Sequence, residues 1–242
     1  MNRFLRTIQK FLNIKPKGIP ILMYHYIDDI PVPSAIHPDL FRKEMAFIKK
    51  NCNPITIGDL IEYVEGQKTL PNNSVLITFD DGTADFYYNA FPIIKRLNIP
   101  VVLYITTGYI ASYMPSLSHN WKYKMLSWDE IMEISQYKNI EIGSHSVTHQ
   151  RFNLISNDKI KHEVVKSKDI LEKNIGRSVI HFSYPKGYTN REIIKIIKDA
   201  GYKTAVTSDN GYVRVGDDLY ALKRIWINKY QSFNDFISIF TR

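Results

Sequence analysis

The sequence predicts an α/β protein of one domain, in which about seven parallel strands, each followed by a helix, close into a barrel. Three observations lead there. Short apolar, β-branched runs alternate with amphipathic stretches from end to end, the pattern of a parallel sheet with helical crossovers. The 242 residues, 44% hydrophobic and 23% charged, suffice for one full core, and no repeat or Ser/Gly- or Pro-rich linker divides them. Finally, His25, Asp80, Asp81, His145, His149 and the Tyr184–Gly187 stretch all fall where an expected strand gives way to a loop. In a parallel barrel those positions share one rim.

The elements follow in order. Ile19–Tyr24 is a short apolar run that reads as a buried strand, with His25 at its end. The three prolines between Asp28 and Pro38 mark a loop. Asp39 can open a helix whose inner face is Leu40, Phe41, Met45 and Ile48. A short strand is expected over Asn51–Thr56 and a helix over Gly58–Glu65. Ser74–Phe79 is a clear buried strand. Asn89–Leu97 reads as a helix with Pro92 in its first turn, where a missing N–H is tolerated. Val101–Ile105 is a strand, and Thr106–Leu126 a long irregular stretch of the kind that lines sites. Ser127–Glu130 is a capping box opening a helix to about Gln136. Ile140–Gly143 is a strand. Ser156 or Asn157 caps a helix with Ile160, Val164, Ile170, Leu171 and Ile175 inward, which Gly176 ends. Val179–Tyr184 is a strand, and Thr189 or Asn190 caps a helix ending at Ala200–Gly201. Thr204–Val206 and Leu222–Ile227 are strands, and Ser232 caps a final helix, Phe233–Phe240.

The net charge is +8, which suits anionic partners, yet lysines such as Lys159, Lys161, Lys166 and Lys168 fall on polar helix faces, and no nucleic-acid-binding motif is present. With Cys52 alone, no intrachain disulfide can form. Residues 1–18 are set apart as a basic amphipathic segment, with Arg3, Arg6 and Lys10 among Phe4, Leu5, Ile8, Phe11 and Leu12. No uninterrupted apolar stretch follows, so a secretory signal is not expected, and a cytoplasmic or membrane-associated protein is. The segment would dock on the domain or, through residues 1–14, touch a membrane surface.

Thr78-Phe79-Asp80-Asp81-Gly82 ends the clearest strand with two adjacent carboxylates and a residue free to turn sharply. As turn chemistry alone the sequence is unremarkable. As a site, two close carboxylates repel and call for a cation between or beside them. His145 and His149, four apart in a Ser/Thr-rich stretch after a strand, complete a ligand set suited to zinc or a similar divalent ion. Two imidazoles and one carboxylate leave coordination positions open, and the second carboxylate remains free as a base.

These motifs resemble those of the polysaccharide deacetylases, the NodB-homology domain of carbohydrate esterase family 4. Thr78–Gly82 matches the family's first motif outright and His145–His149 its second, and the resemblance covers residues 19–242. It implies a distorted (β/α)7 barrel. It assigns Asp80 as general base, and Asp81, His145 and His149 as ligands of one divalent ion: zinc first, with cobalt, nickel or iron as alternatives. The family's third motif usually begins with an Arg that positions the base. Here it reads Ser183-Tyr184-Pro185-Lys186-Gly187, and Arg224 is the candidate substitute from a neighbouring strand. The family's late Leu-x-His is also missing, since no His follows His181. Both departures are similar to the poly-N-acetylglucosamine deacetylase branch, in which a Met-Tyr-His near the N-terminus supplies the general acid. Met23-Tyr24-His25 matches it.

The resemblance therefore implies removal of N-acetyl groups from a polysaccharide or oligosaccharide, releasing acetate. Asp80 would be the base and His25 the acid. Tyr184, Pro185 and Gly187 would face the substrate, a backbone N–H near Tyr184 would help hold the oxyanion, and Leu222 and Trp128 would contribute to an acetyl pocket. Trp128 is equally placed to be core. Two alternatives stay open: action on a lipid-linked or nucleotide-linked sugar or a non-sugar amide, and a pseudoenzyme that binds carbohydrate without cleaving it.

Overall fold

The computed structural model describes residues 18–115 and 122–241. Its elements are β1 (Ile19–Tyr24), α1 (Pro38–Asn51), β2 (Asn53–Pro54), α2 (Ile57–Val64), β3 (Ser74–Phe79), α3 (Phe91–Leu97), β4 (Val101–Ile105), β5 (Tyr113–Pro115), β6 (Lys122–Lys124), α4 (Trp128–Ser135) and β7 (Ile140–Ser144). There follow α5 (Asn157–Ile175), β8 (His181–Ser183), α6 (Arg191–Asp199), β9 (Thr204–Asn210), β10 (Tyr212–Val213), β11 (Leu222–Trp226) and α7 (Phe233–Ser238). The expected amphipathic segment lies, apart from Gly18, outside the described residues. No helix among the described residues is long and apolar enough to cross a membrane.

Seven parallel strands run β1-β11-β9-β8-β7-β4-β3, and β3 pairs back onto β1 to close the ring. This is the expected distorted (β/α)7 barrel. The closing seam has four paired positions, Ile21 to Tyr24 against Leu76 to Phe79, whereas β7 meets β8 at one, Ser144 with Phe182. The barrel is thus tight beside Asp80 and loose on the far side.

Alternation along the strands divides the core in two. Inward residues such as Ile21, Leu76, Val102, Tyr104, Val206 and Leu222 pack inside the barrel, and Leu60 and Val64 of α2 join them from the end where strands begin. Outward residues such as Leu22, Ile77, Leu103 and Phe182 pack against the surrounding helices. One step beyond Leu76, Val206 and Leu222, the inward positions turn polar at the opposite end, where the site lies.

Several elements differ from the sequence expectation for local physical reasons. The strand around Asn51–Thr56 shrinks to Asn53–Pro54, paired with Ser74 and Val75 of β3, and the bonding passes Pro54 through the N–H groups of Asn53 and Ile55 before Thr56 caps α2. The helix before Leu97 begins early, as a π turn over Phe86–Ala90, and the wider turn places Pro92 at the start of α3. The irregular stretch after Thr106 contains an antiparallel hairpin, β5 with β6. β9 runs past Val206 to Asn210, and β10 adds an antiparallel edge to β1. Ser127, Ser156, Asn190 and Ser232 cap their helices as the sequence suggests.

Candidate active site

The inward alternation that builds the core also delivers the site. Along β3 it passes from Leu76 and Thr78 to Asp80, along β11 from Leu222 to Arg224, and along β1 from Ile21 and Met23 to His25. β7 ends in His145 and β8 supplies Ser183. Together they open on a cavity of about 480 Å³ that includes His25, Asp80, Asp81, His145, His149 and Arg224.

Asp80 and Asp81 are neighbours in sequence with opposite surroundings. Arg224 grips Asp80 with two parallel bonds, Nη1 to Oδ1 at 2.8 Å and Nη2 to Oδ2 at 2.7 Å. The guanidinium also donates through Nε to the Thr207 carbonyl at 2.8 Å and through Nη2 to Ser183 Oγ, which donates to Asp80 in turn. Burial works against ionising Asp80, but Arg224 foremost, with His145 and His25, overrides it and holds the carboxyl well below the usual carboxylate range. The expectation that Arg224 stands in for the missing motif Arg agrees with this geometry.

Asp81 takes a left-handed backbone (φ 73°), as does Gly82 (φ 79°), so the chain turns sharply and both carboxylates reach one cavity. The Thr106 N–H fixes the Asp81 carbonyl at 3.1 Å. Tyr26 donates its hydroxyl to Asp81 Oδ2 at 3.0 Å. The other oxygen, Oδ1, is buried without a hydrogen-bond partner, 3.5 Å from His145 Nε2 and 3.4 Å from His149 Nε2.

His145 is fixed through its ring and His149 through its backbone. His145 Nδ1 lies 2.8 Å from the Ser183 carbonyl, which can only accept, so Nδ1 carries the proton and the Nε2 lone pair faces Asp81. His149 is also left-handed (φ 57°), and its N–H bonds Ser146 Oγ. The Glu163 carboxylate on α5 accepts from the N–H groups of Val147 and Thr148 and from the Thr148 hydroxyl, tying down the loop between the two histidines. Burial pushes the His149 imidazole down to about 3, against the pull of Asp81, so it stays neutral with a lone pair to give.

Asp81, His145 and His149 each offer one ligand atom, all within 4.8 Å of one another. The two spacings from Asp81 Oδ1 to the imidazole nitrogens, 3.5 and 3.4 Å, suit the edge of a tetrahedron around zinc, about 3.4 Å for ligand bonds near 2.1 Å. An orphaned carboxylate oxygen facing imidazole lone pairs fits a divalent cation, and the donor set suits one of borderline softness.

His25 has its Nδ1 buried and unpartnered beside this cluster. Burial, only partly opposed by Asp81 and Asp80, lowers its pKa and favours the neutral ring. Two residues on, Ile27 is clasped from the π turn: its N–H donates to Asp85 Oδ2 at 2.6 Å, and its carbonyl accepts from Asn89 Nδ2 at 2.7 Å.

The third motif bends as a turn over Pro185–Gly187. Gly187 is left-handed (φ 74°), and a Cβ there would come within 1.9 Å of Ser208 Oγ, so only glycine fits. Of the amides near Tyr184, where the oxyanion donor is expected, Tyr184's own N–H is spent on the Val206 carbonyl and that of Gly187 bonds the Tyr184 carbonyl. Pro185 has none, which leaves the N–H of Lys186 as the turn's remaining amide. Leu222 and Trp128 do not line the cavity. Leu222 packs inside the barrel below Arg224, and Trp128, the first residue of α4, packs against the outer core. Met23, Tyr123 and Trp226 line it instead. Sequence reading also missed Tyr26, Ser183 and Glu163. Tyr26 and Ser183 were within reach, since each adjoins a residue already singled out.

Residues 67–205 match the profile of the family described as Polysaccharide deacetylase. A poly-beta-1,6-N-acetyl-D-glucosamine N-deacetylase of Staphylococcus aureus (strain MRSA252) is 29% identical over 205 residues, covering 80% of this chain and 68% of that protein. Among solved structures, the Streptococcus pyogenes deacetylase PplD in complex with acetate is similar at 26% identity and a TM-score of 0.80, covering 93% of this chain and 99% of that one. IcaB from Ammonifex degensii shares the fold at a TM-score of 0.81 and 21% identity, covering 93% of this chain and 97% of that one. The relatives named above are deacetylases, and with a profile match across more than half its length the chain belongs to the polysaccharide deacetylase family.

Proposed function

We propose that this protein is a metal-dependent hydrolase that removes N-acetyl groups from N-acetylated amino sugars within a polysaccharide or oligosaccharide, releasing acetate. The reading rests on the separation of Asp80 from Asp81: one carboxylate is held by Arg224 and kept ionised, while its neighbour turns an unpartnered oxygen toward the Nε2 atoms of two imidazoles.

Asp81, His145 and His149 would hold the ion, zinc first on its ligand set. A divalent ion bound there supplies Lewis acidity and lowers the pKa of its water toward neutrality. Asp80 takes a proton from the attacking water. It is ionised across the working pH range, and the Arg224 fork fixes the direction in which its oxygens point. Lys186 lines the cavity, and its N–H, the turn's remaining amide, is the candidate donor to the oxygen of the acetamide as it gains charge. His25, when protonated, gives its proton to the nitrogen as the C–N bond breaks, burial making that proton easy to lose, and the proton that Asp80 took from the water restores it. Acetate and a free amine leave. The similar protein PplD was solved with acetate, the small product this reading expects.

Acetate release from short N-acetylglucosamine oligomers tests the reading, with wild type beside His25→Ala. Release that falls on the order of 10²–10⁴-fold in the variant is expected. Full release by His25→Ala would leave the acid role unfilled. No release from any oligomer by zinc-loaded wild type would turn attention to a lipid-linked, nucleotide-linked or non-sugar amide.

A further inference from the structure

Trp226 stands one inward step beyond Arg224 on β11. Leu222 packs inside the barrel, Arg224 grips Asp80, and Trp226 emerges at the mouth with 40% of its surface exposed. Nothing in the packing of the barrel requires a large indole there, and leaving it in water forgoes its burial. Together with Ser208, Trp226 lines both the catalytic cavity and an adjoining depression of about 690 Å³. The two spaces are neighbours with these two residues as their common wall.

The adjoining depression is lined by hydrogen-bonding groups. Asn210 is exposed, and Gln231 uses its Oε1 on the Asn228 N–H at 3.3 Å, which leaves its amide hydrogens to a ligand. The carboxylate of Asp235 is engaged in the capping box of α7, accepting from the Ser232 N–H and hydroxyl at 2.9 and 2.7 Å. An exposed aromatic face beside carboxamides suits a ring with apolar C–H faces and a rim of neutral hydroxyls and amides. On the other side of the cavity, beyond the stacked rings of Tyr26 and Tyr123, the surface differs in kind and carries Asp28, Lys122 and Lys124.

We propose that Trp226 is the stacking platform for the sugar next to the one being deacetylated, and that the depression beyond it receives that neighbour as a neutral ring. The proposal rests on the hydrolase reading for the identity of the reacting group, and on the shared wall and the exposed indole for the subsite. Its consequence is a preference for oligomers over the monosaccharide that passes through Trp226.

Acetate release is measured with the zinc-loaded full chain on N-acetylglucosamine and its dimer, trimer and pentamer, for wild type, Trp226→Ala and Trp226→Phe. KM in wild type falls with length. Trp226→Ala raises KM for the pentamer about tenfold more than it raises KM for the monosaccharide, and Trp226→Phe recovers most of the loss. A length dependence that survives in Trp226→Ala overturns the subsite, as does an equal loss of kcat on monomer and pentamer, the mark of a merely structural role. The subsite is also read by direct titration of zinc-loaded Asp80→Asn with the pentamer, with and without Trp226→Ala. Affinity that depends on Trp226 supports it even if wild type releases no acetate, a result that would count against the hydrolase reading alone. Affinity indifferent to Trp226, or no binding, overturns it.

Discussion

Arg224 and Asp80 are 144 positions apart in sequence and meet as a fork on a fork, Nη1 to Oδ1 and Nη2 to Oδ2, in a barrel interior that leaves 1% of the Arg224 side chain and 3% of the Asp80 side chain exposed. The remaining N–H groups of the guanidinium have acceptors too: Nε bonds the Thr207 carbonyl, and Nη1 and Nη2 also reach Thr78 Oγ1 and Ser183 Oγ. Planarity is what the position uses, and a lysine cannot supply it.

Arg224→Lys keeps the charge and loses the fork. Its kcat on N-acetylglucosamine oligomers is expected to fall about 10²-fold with little change in KM, since a small misplacement of a base costs that much. Arg224→Met strands a buried carboxylate and is expected to lose about 3–5 kcal/mol of stability in urea unfolding. Adding Asp80→Asn to it recovers much of that loss, because the buried charge goes too. A double variant no more stable than Arg224→Met contradicts the pairing.

The clasp on Ile27 predicts a second effect away from the chemistry. Asp85→Ala leaves the Ile27 N–H without its acceptor, at a cost of about 1–3 kcal/mol, and lets the segment carrying His25 and Tyr26 shift. We expect kcat to drop more than KM rises, and Asp85→Asn, which keeps an acceptor oxygen, to restore most of it. Equal damage in the two variants would show that the charge of Asp85 matters rather than its bond.

Glu44 gives stability a pH dependence. Burial against the barrel wall raises its carboxyl from 4.5 to about 7, although the Tyr24 hydroxyl donates to it at 2.8 Å. Below pH 4.5 the group is protonated both folded and unfolded and costs nothing. Between about 4.5 and 7 the unfolded chain ionises while the fold does not, so stability falls as pH rises, by about 3 kcal/mol in all, and the deficit persists above 7. Glu44→Gln keeps an acceptor for Tyr24 and is expected to equal wild type at pH 4 and to exceed it at pH 8 in thermal unfolding. Equal stability at both pH values would contradict the raised pKa.

What could be read in the sequence follows from physical range. Ser74–Phe79 and the caps at Ser127 and Ser232 are local signals, and alternation along β3 and β11 carries Asp80 and Arg224 to the same side. The Asp80–Asp81 pair could be read as a site because two adjacent carboxylates at a strand end call for a partner. What failed was contact across the fold. Leu222 lies one layer below the cavity and Trp128 outside the barrel, neither of which is written in its neighbours. The π turn that sets Asp85 and Asn89 on Ile27 has no local sequence mark beyond Pro92.

The division of labour between the two carboxylates is tested most directly by zinc stoichiometry in equilibrium dialysis, run on wild type, Asp80→Asn and Asp81→Asn beside acetate release from the pentamer. The account predicts one ion per chain in wild type and in Asp80→Asn, none in Asp81→Asn, and no acetate from either variant. Asp80→Asn that loses the ion, or Asp81→Asn that keeps both ion and activity, contradicts it.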